Sequence, residues 1–147
     1  MSDSTAAKIA IRETLYRYSL MVDRRRWDLI DQVFTENAII DYTSVGSGAG
    51  RGPHREQLHW LDEMLKPWPM NLHLISNEII DLDGDRAKST CCFNAPMGNK
   101  DDRGKSTFLT NAGYYHDEWL RTAAGWRIRE RVCDMTVQIF HGSWGSG

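Results

Sequence analysis

A histidine at position 73 and an aspartate at position 23 are the residues of this chain best suited to moving a proton. His73 lies in NLHLIS, where strand alternation sets Asn71, His73 and Ile75 on one side and Leu72 and Leu74 on the other. An imidazole titrates near pH 6.5 when unperturbed, so it can take a proton from carbon and release it again at neutral pH. A core histidine satisfied by backbone is the structural alternative. Asp23 closes the apolar stripe of a predicted helix in LMVDRRRWDLI, where the partial negative charge of a helix end disfavours a carboxylate. Either Arg24 to Arg26 compensate it, or it caps the helix beginning near Trp27, or it serves a partner elsewhere in the chain.

Tyr18 precedes Asp23 on the same helix, and Tyr42 ends AIIDY. A phenol hydroxyl can donate to a developing enolate oxygen, although both residues also suit an amphipathic core with the hydroxyl at its rim. Asp41 and Tyr42 cannot both face a cavity from a regular strand. Arg127, Arg129 and Arg131 in WRIRERV share one face of such a strand, where solvated or cross-strand-paired arginines are the ordinary case. Tyr115 in GYYHDEW is a further pocket candidate, while His116 and Asp117 have no ligand-like spacing and read as surface pairs. No metal site is expected, since Cys91, Cys92 and Cys133 also lack metal spacing. GSGAGRG lacks the features of a phosphate loop and reads as a flexible loop over a pocket mouth. Trp144, in the tail HGSWGSG, reads as a hydrophobic lid or an oligomer contact.

These residues need elements to hold them. SDSTAAKIAIRETLYRYSLMV, with Ser4 or Thr5 as N-cap, predicts a first helix burying Ile11, Leu15, Tyr18 and Val22; Trp27, Ile30 and Phe34 mark a short second one, giving way to strand near Asn37. Pro53 is placed at the first position of a third helix carrying Leu58, Leu61 and Leu65, stopped by KPWP. MNLHLISNEIIDL, RAKSTCCFNA, STFLTNAGYYHDEWLRT and GWRIRERVCDMTVQIF then predict long antiparallel strands, bent by bulges, with tight connections at DLDGDR and TAAG. Three helices followed by a meander predict one α+β domain over residues 1–147, its helices covering one face of a curved sheet and enclosing a cavity. The chain has 147 residues, 41% of them hydrophobic, enough for one core. A net charge of −2 offers no general attraction to nucleic acid or anionic membrane. No stretch is long and apolar enough for a membrane span, and MSDSTAAK does not read as a signal peptide. An odd cysteine count with two adjacent suggests a reducing compartment, hence the cytoplasm.

The succession VDRRRWDLIDQVFTENAIIDY, GRGPHREQL, NLHLISN, DGDRA, YYHDEWLRTAAGWRIRER resembles the SnoaL-like domains of the nuclear transport factor 2 superfamily over nearly the whole chain. Within it the chain looks most like the branch of scytalone dehydratase, bile acid 7α-dehydratase and hexachlorocyclohexane dehydrochlorinase. The resemblance implies a cone-shaped α+β barrel, three N-terminal helices packed on a strongly curved, mixed, mostly antiparallel sheet. It also implies a homotrimer and cofactor-independent elimination from a small cyclic or polycyclic substrate. Asp23 and His73 fall at the places of that branch's catalytic aspartate and histidine, which implies a dyad in which the carboxylate fixes the imidazole's tautomer. Tyr42 matches a tyrosine that polarises a substrate carbonyl, and Arg131 an arginine lining the pocket. Asn94 stands where scytalone dehydratase has a second histidine. Two alternatives stay open. Asp41 facing inward beside Tyr18 would resemble ketosteroid isomerase, and ring-hydroxylating dioxygenase β subunits and small-molecule binders share the fold without chemistry of their own.

Overall fold

The computed structural model describes residues 3–144, the side chains of 143 and 144 excepted. The side chain of Trp144, expected as a lid or contact, therefore lies outside the described residues. Helix α1, Asp3–Asp23, turns Ile11, Thr14, Leu15, Tyr18, Met21 and Val22 inward at helical spacing. Ser4 and Thr5, expected before the helix, stand within it.

The end of α1 is fixed by an arginine. Arg25 adopts φ +55°, a left-handed conformation that costs a residue with a Cβ about 1–2 kcal/mol. Its guanidinium compensates by donating to Asp62 Oδ1 and to the Leu65 carbonyl, each at 3.0 Å. Those contacts tie the end of α1 to α3, His54–Leu65. Between them come a 3-10 turn at Trp27–Leu29, the short α2 at Ile30–Val33, β1 at Phe34–Asp41 and β2 at Arg51–Pro53. Strand begins at Phe34 rather than near Asn37, because the buried Phe34 already pairs with Ile128. Pro53 does not open α3: it pairs with Ile39 and keeps an extended ψ of 134°, so the helix starts one residue later.

The remaining strands are β3 (Met70–Asn71), β4 (Leu74–Asp83), β5 (Arg86–Lys100), β6 (Ser106–Thr122) and β7 (Gly125–Trp144). Their order is β2-β1-β7-β6-β5-β3, with β4 also pairing β5. Only β1 and β7 run parallel; the other pairings are antiparallel. The sheet curls around the helices without closing, as its end strands β2 and β3 do not meet.

Three irregularities shape the interior. MNLHLISNEIIDL, expected as one strand, breaks at Leu72 and His73, although β3 and the start of β4, as far as Ser76, keep a single register against β5. Leu72 faces Pro96, which has no N–H to return, and the His73 N–H is drawn away to Asp23. On β7 the ladder passes from Ile128 opposite Trp119 to Glu130 opposite Glu118, leaving Arg129 as an extra residue. That bulge reverses the alternation. Arg127, Arg129 and Arg131 therefore do not share a face, and Arg131 turns into the core. A second bulge leaves Thr136 unpaired opposite the step from Ala112 to Gly113. There a Cβ on Gly113 would come within 2.0 Å of the Asp134 carbonyl oxygen, so only glycine fits.

Candidate active site

Asp23 emerges from the last turn of α1 beside the break between β3 and β4. Its Oδ2 accepts the His73 backbone N–H at 3.0 Å and its Oδ1 lies 2.7 Å from His73 Nδ1. One carboxylate thus holds both the backbone and the ring of the histidine. A carboxylate accepts, so in the neutral ring Nδ1 carries the proton and Nε2 keeps its lone pair. Two of the three arginines are engaged elsewhere: Arg25 with Asp62, and Arg26 with Asp28 through two hydrogen bonds at 2.8 and 2.7 Å. The cap alternative also lapses, because Arg26 stands at the N-cap of the 3-10 turn and no side chain caps it.

His73 forms part of the wall of a cavity of about 130 Å³ between helices and sheet. Trp60, Leu61, Met64 and Leu65 of α3, with Trp68, form its helical side. Phe93, Ala95 and Met97 of β5, Leu109, Asn111 and Tyr115 of β6, and Cys133, Met135 and Gln138 of β7 form its sheet side. Tyr18 and Tyr42 close it from α1 and the end of β1, and Val45 from the glycine-rich loop. Ser44 anchors that loop to the second bulge of β7, donating to the Cys133 carbonyl and accepting from the Met135 N–H at 2.9 Å. A larger depression of about 530 Å³ on the outer side of the sheet is bordered by charged side chains such as Asp81, Lys88 and Glu130, and its histidine, His116, is exposed and lies beside the Thr90 hydroxyl rather than in the grip of a buried carboxylate.

Tyr42 faces inward and Asp41 outward. The Asp41 carboxylate is taken up locally by the Thr43 N–H and hydroxyl, at 2.9 and 2.6 Å, and those hydrogen bonds hold its pKa below the ordinary value. The isomerase alternative is left without its base. The Tyr18 and Tyr42 hydroxyls lie 2.9 Å apart, so one donates to the other, and the Tyr115 hydroxyl also interacts with that of Tyr18. Burial raises the pKa of both, and of Tyr115, so these phenols stay protonated and serve as neutral donors.

Arg131 does not line the cavity. Its side chain is 0% exposed, and Nε and Nη2 each lie 2.7 Å from the two oxygens of Asp117, itself 0% exposed in its side chain. The guanidinium carbon sits 4.1 Å from the ring centroids of both Tyr18 and Tyr115. Arg131 is thus a buried cation between two tyrosine rings rather than a hook for a leaving group, and Asp117 is its counterion rather than a surface residue. His116, by contrast, is exposed as expected, near Thr90 and Asp134. Asn94 faces away from the cavity, since Phe93 and Ala95 are the inward neighbours on β5. Tyr115 does line it, stacked on Phe93 with ring centroids 4.5 Å apart. Asn111 and Gln138 are polar lining residues that the sequence reading passed over; the parity shared by Asn111 and Tyr115 on one strand was the available signal. Burial pushes the Cys133 thiol up to about 12, so it stays protonated at neutral pH.

Residues 3–132 match the SnoaL-like domain family, and the chain belongs to it. An uncharacterized protein of Mycobacterium tuberculosis is 40% identical over 126 residues, 85% of this chain and 82% of that protein. Among solved structures, a candidate scytalone dehydratase of Novosphingobium aromaticivorans superposes with a TM-score of 0.77 at 18% identity, covering 95% of this chain and 91% of its own. A hexachlorocyclohexane dehydrochlorinase, LinA type 2, gives 0.74 at 16% identity, covering 94% and 90%. The β subunit of a candidate aromatic-ring-hydroxylating dioxygenase from N. aromaticivorans gives 0.68 at 19% identity, covering 92% and 93%. At these identities the likeness is one of fold.

Proposed function

We propose that this chain, a single SnoaL-like domain, is a cofactor-independent lyase that removes a proton from a small cyclic or polycyclic substrate and expels water or another leaving group. The observation that carries the reading is the double grip of Asp23 on His73 at the wall of a cavity that also presents the Tyr18 and Tyr42 hydroxyl pair. His73 Nε2 takes a proton from the carbon next to a carbonyl, and the electron pair moves onto the carbonyl oxygen, where the tyrosine pair donates to it. Asp23 stabilises the imidazolium formed. As the enolate collapses, the carbon–oxygen bond to the leaving hydroxyl breaks and the imidazolium returns its proton to it, giving an unsaturated carbonyl compound and water. The dehydratase-type and dehydrochlorinase neighbours support elimination.

The same reading includes a homotrimer in the cytoplasm. Leu72, Leu74, Ile79, Val137 and Ile139 are exposed apolar side chains on the sheet, suited to packing between copies. The cysteines are free, and among the described residues no helix is long and apolar enough to cross a membrane. A second reading, a ligand-binding or dioxygenase β-type subunit, is favoured only by the fold likeness to such a subunit. The test is a screen of cyclic hydroxy-ketones for turnover and for exchange of the acidic carbon proton with deuterated water, comparing His73→Ala and Asp23→Asn with the parent. Loss of both activities in both variants is the expected result. Normal turnover by His73→Ala sinks the reading, and light scattering showing a monomer at micromolar concentration removes the trimer.

A further inference from the structure

The cavity is small for any occupant larger than one ring. Its volume of about 130 Å³ is close to the roughly 150 Å³ of a dry cavity that takes up benzene, whereas pockets for larger ligands run to roughly 300–1,000 Å³. A wall must therefore yield to admit a substituted or fused ring. The sheet side is held by the continuous ladders of β5, β6 and β7, and α3 by the Arg25 hydrogen bonds to Asp62 and Leu65. Tyr18 and Tyr42 are buried in the core, and His73 is held by Asp23. The wall with the fewest ties is the glycine-rich segment 43–50, which presents Val45 to the cavity.

That segment is fastened to the sheet at one point. Its backbone hydrogen bonds are local, from the N–H groups of Val45, Ala49 and Tyr42 to the carbonyls of Tyr42, Gly46 and Gly50. Among the described residues only Ser44 reaches further, donating to the Cys133 carbonyl and accepting from the Met135 N–H. Those two groups lie on β7 just past Val132, the last residue that β1 pairs. The apolar contacts of the segment come from Val45 and Ala49, both small. Gly46 and Gly48 have φ of +142° and +84°. A Cβ would meet nothing within 4 Å at Gly46 and only Trp60 Nε1, at 3.7 Å, at Gly48. Packing leaves room there for a side chain, so it is the backbone path that calls for glycine, and glycine turns at little steric cost.

We propose that residues 43–50 are a gate over the cavity, latched to β7 by the Ser44 hydroxyl and hinged at Gly46 and Gly48, and that this structure is its closed state. The gate rests on the reading of this cavity as the substrate site, but not on the reaction assigned to it. Its test needs no turnover, so its failure and that of the lyase reading are read separately.

The three cysteines report on the gate. Cys133 lines the cavity beneath Ser44, Cys91 is buried elsewhere in the core, and Cys92 is partly exposed. Burial pushes the Cys91 and Cys133 thiols alike up to about 12, so access rather than acidity separates them. The full chain is treated at pH 7.5 with N-phenylmaleimide, a two-ring reagent, and alkylation of each cysteine is timed by peptide mass spectrometry. In the parent, Cys133 should react more slowly than Cys92. Ser44→Ala should speed Cys133 about ten-fold, the scale of one lost hydrogen bond or slightly more, while Cys91 and Cys92 stay within about two-fold. A hydrogen bond from Ser44 opposes the rise in Cys133 acidity constant caused by burial, so loss of the hydroxyl without opening would slow the reaction. Ser44→Thr keeps the hydroxyl and should restore the parent rate. Gly46→Ala leaves the latch in place but disfavours the closed backbone, and should also speed Cys133. An unchanged Cys133 rate in Ser44→Ala, Cys91 accelerating in step with Cys133, or Cys133 of the parent reacting as fast as Cys92 overturns the gate.

Discussion

Two carboxylates in this molecule each hold a basic side chain, and their surroundings separate them. Asp23 and His73 meet at the cavity wall with side chains 11% and 5% exposed, whereas Asp117 and Arg131 are both 0% exposed beneath the tyrosines. The first pair leaves one ring nitrogen of His73 uncommitted. In the second, Asp117 takes two of the three guanidinium nitrogens, the aromatic rings of Tyr18 and Tyr115 cover the faces, and Nη1 is sealed away without a partner. A charge pair kept from solvent and substrate alike can orient what packs on it, but it cannot exchange a proton or grip a leaving group. On the proposed reading, chemistry belongs to the pair that is incompletely satisfied, and rigidity to the pair that is nearly complete.

Substitutions at the two sites should therefore split activity from stability. His73→Ala is expected to lower turnover by about 10²- to 10⁴-fold while costing only about 1–2 kcal/mol of stability, the scale of one buried hydrogen bond. Asp117→Ala should do the reverse in emphasis, losing about 3–5 kcal/mol in a urea titration because it strands a buried guanidinium. Its activity, measured where the variant remains folded, should fall less than that of His73→Ala. If Asp117→Ala proves as stable as the parent, the pair is not the structural element described here.

The same contrast marks what could be read from sequence. Asp23, His73 and Tyr42 sit where elements begin or end, and their orientations follow from counting along a helix or from simple alternation. The break at His73 leaves its parity unchanged, so the count still holds. Arg131 escaped that count because a single extra residue, Arg129, reverses the side chains of β7 as far as the next bulge at Thr136, and no local signal in WRIRERV announces it, whereas Asp117 shares the parity of Tyr115 on β6 and was open to simple alternation. Asn94 was misplaced by one position of a strand whose inward residues, Cys91, Phe93, Ala95 and Met97, are visible as an apolar alternation. Asn111 could be read from the parity it shares with Tyr115, whereas Gln138 depended on the register between strands, which depends in turn on the bulge at Thr136. The fold, carried by long periodic segments, was accessible; residues beyond the bulges were not.

A milder test of the comparison lies at the tyrosines, which touch both regions. Tyr42→Phe removes one of two hydroxyls from the oxygen-binding end and leaves the Arg131 stack intact, since the guanidinium packs on Tyr18 and Tyr115. A loss of roughly ten-fold in turnover with little change in stability is expected, the scale of one neutral hydrogen bond. Steady-state kinetics alongside urea titration checks it. A stability loss approaching that of Asp117→Ala would mean that the hydroxyl pair is structural.

The smallest effect concerns a second buried histidine, away from both pairs. His54 is 2% exposed, its Nδ1 lies 3.3 Å from the Ala38 carbonyl, and its ring tilts against Phe34 at 5.5 Å between centroids. A carbonyl only accepts, so Nδ1 bears the proton in the neutral ring, and Nε2 is buried without a partner. Burial lowers the pKa of His54, because protonation would place an unsatisfied charged N–H in the core; the nearby Arg55 charge acts in the same direction, against the Ala38 hydrogen bond and Asp31. The unfolded chain then binds the proton more readily than the folded one. The stabilisation from keeping His54 neutral is complete above the unfolded value near 6.5 and declines as pH falls toward the lowered folded value, at up to about 1.4 kcal/mol per pH unit. Below the folded value the loss is constant. Asp41, whose pKa is also lowered, acts in a separate window at and below the ordinary carboxylate range. Urea titrations at pH 7.5, 6.5 and 5.5 should show parent stability falling over that interval, and His54→Gln, less stable at pH 7.5, should fall less. An equal decline in both proteins would place the titrating group elsewhere.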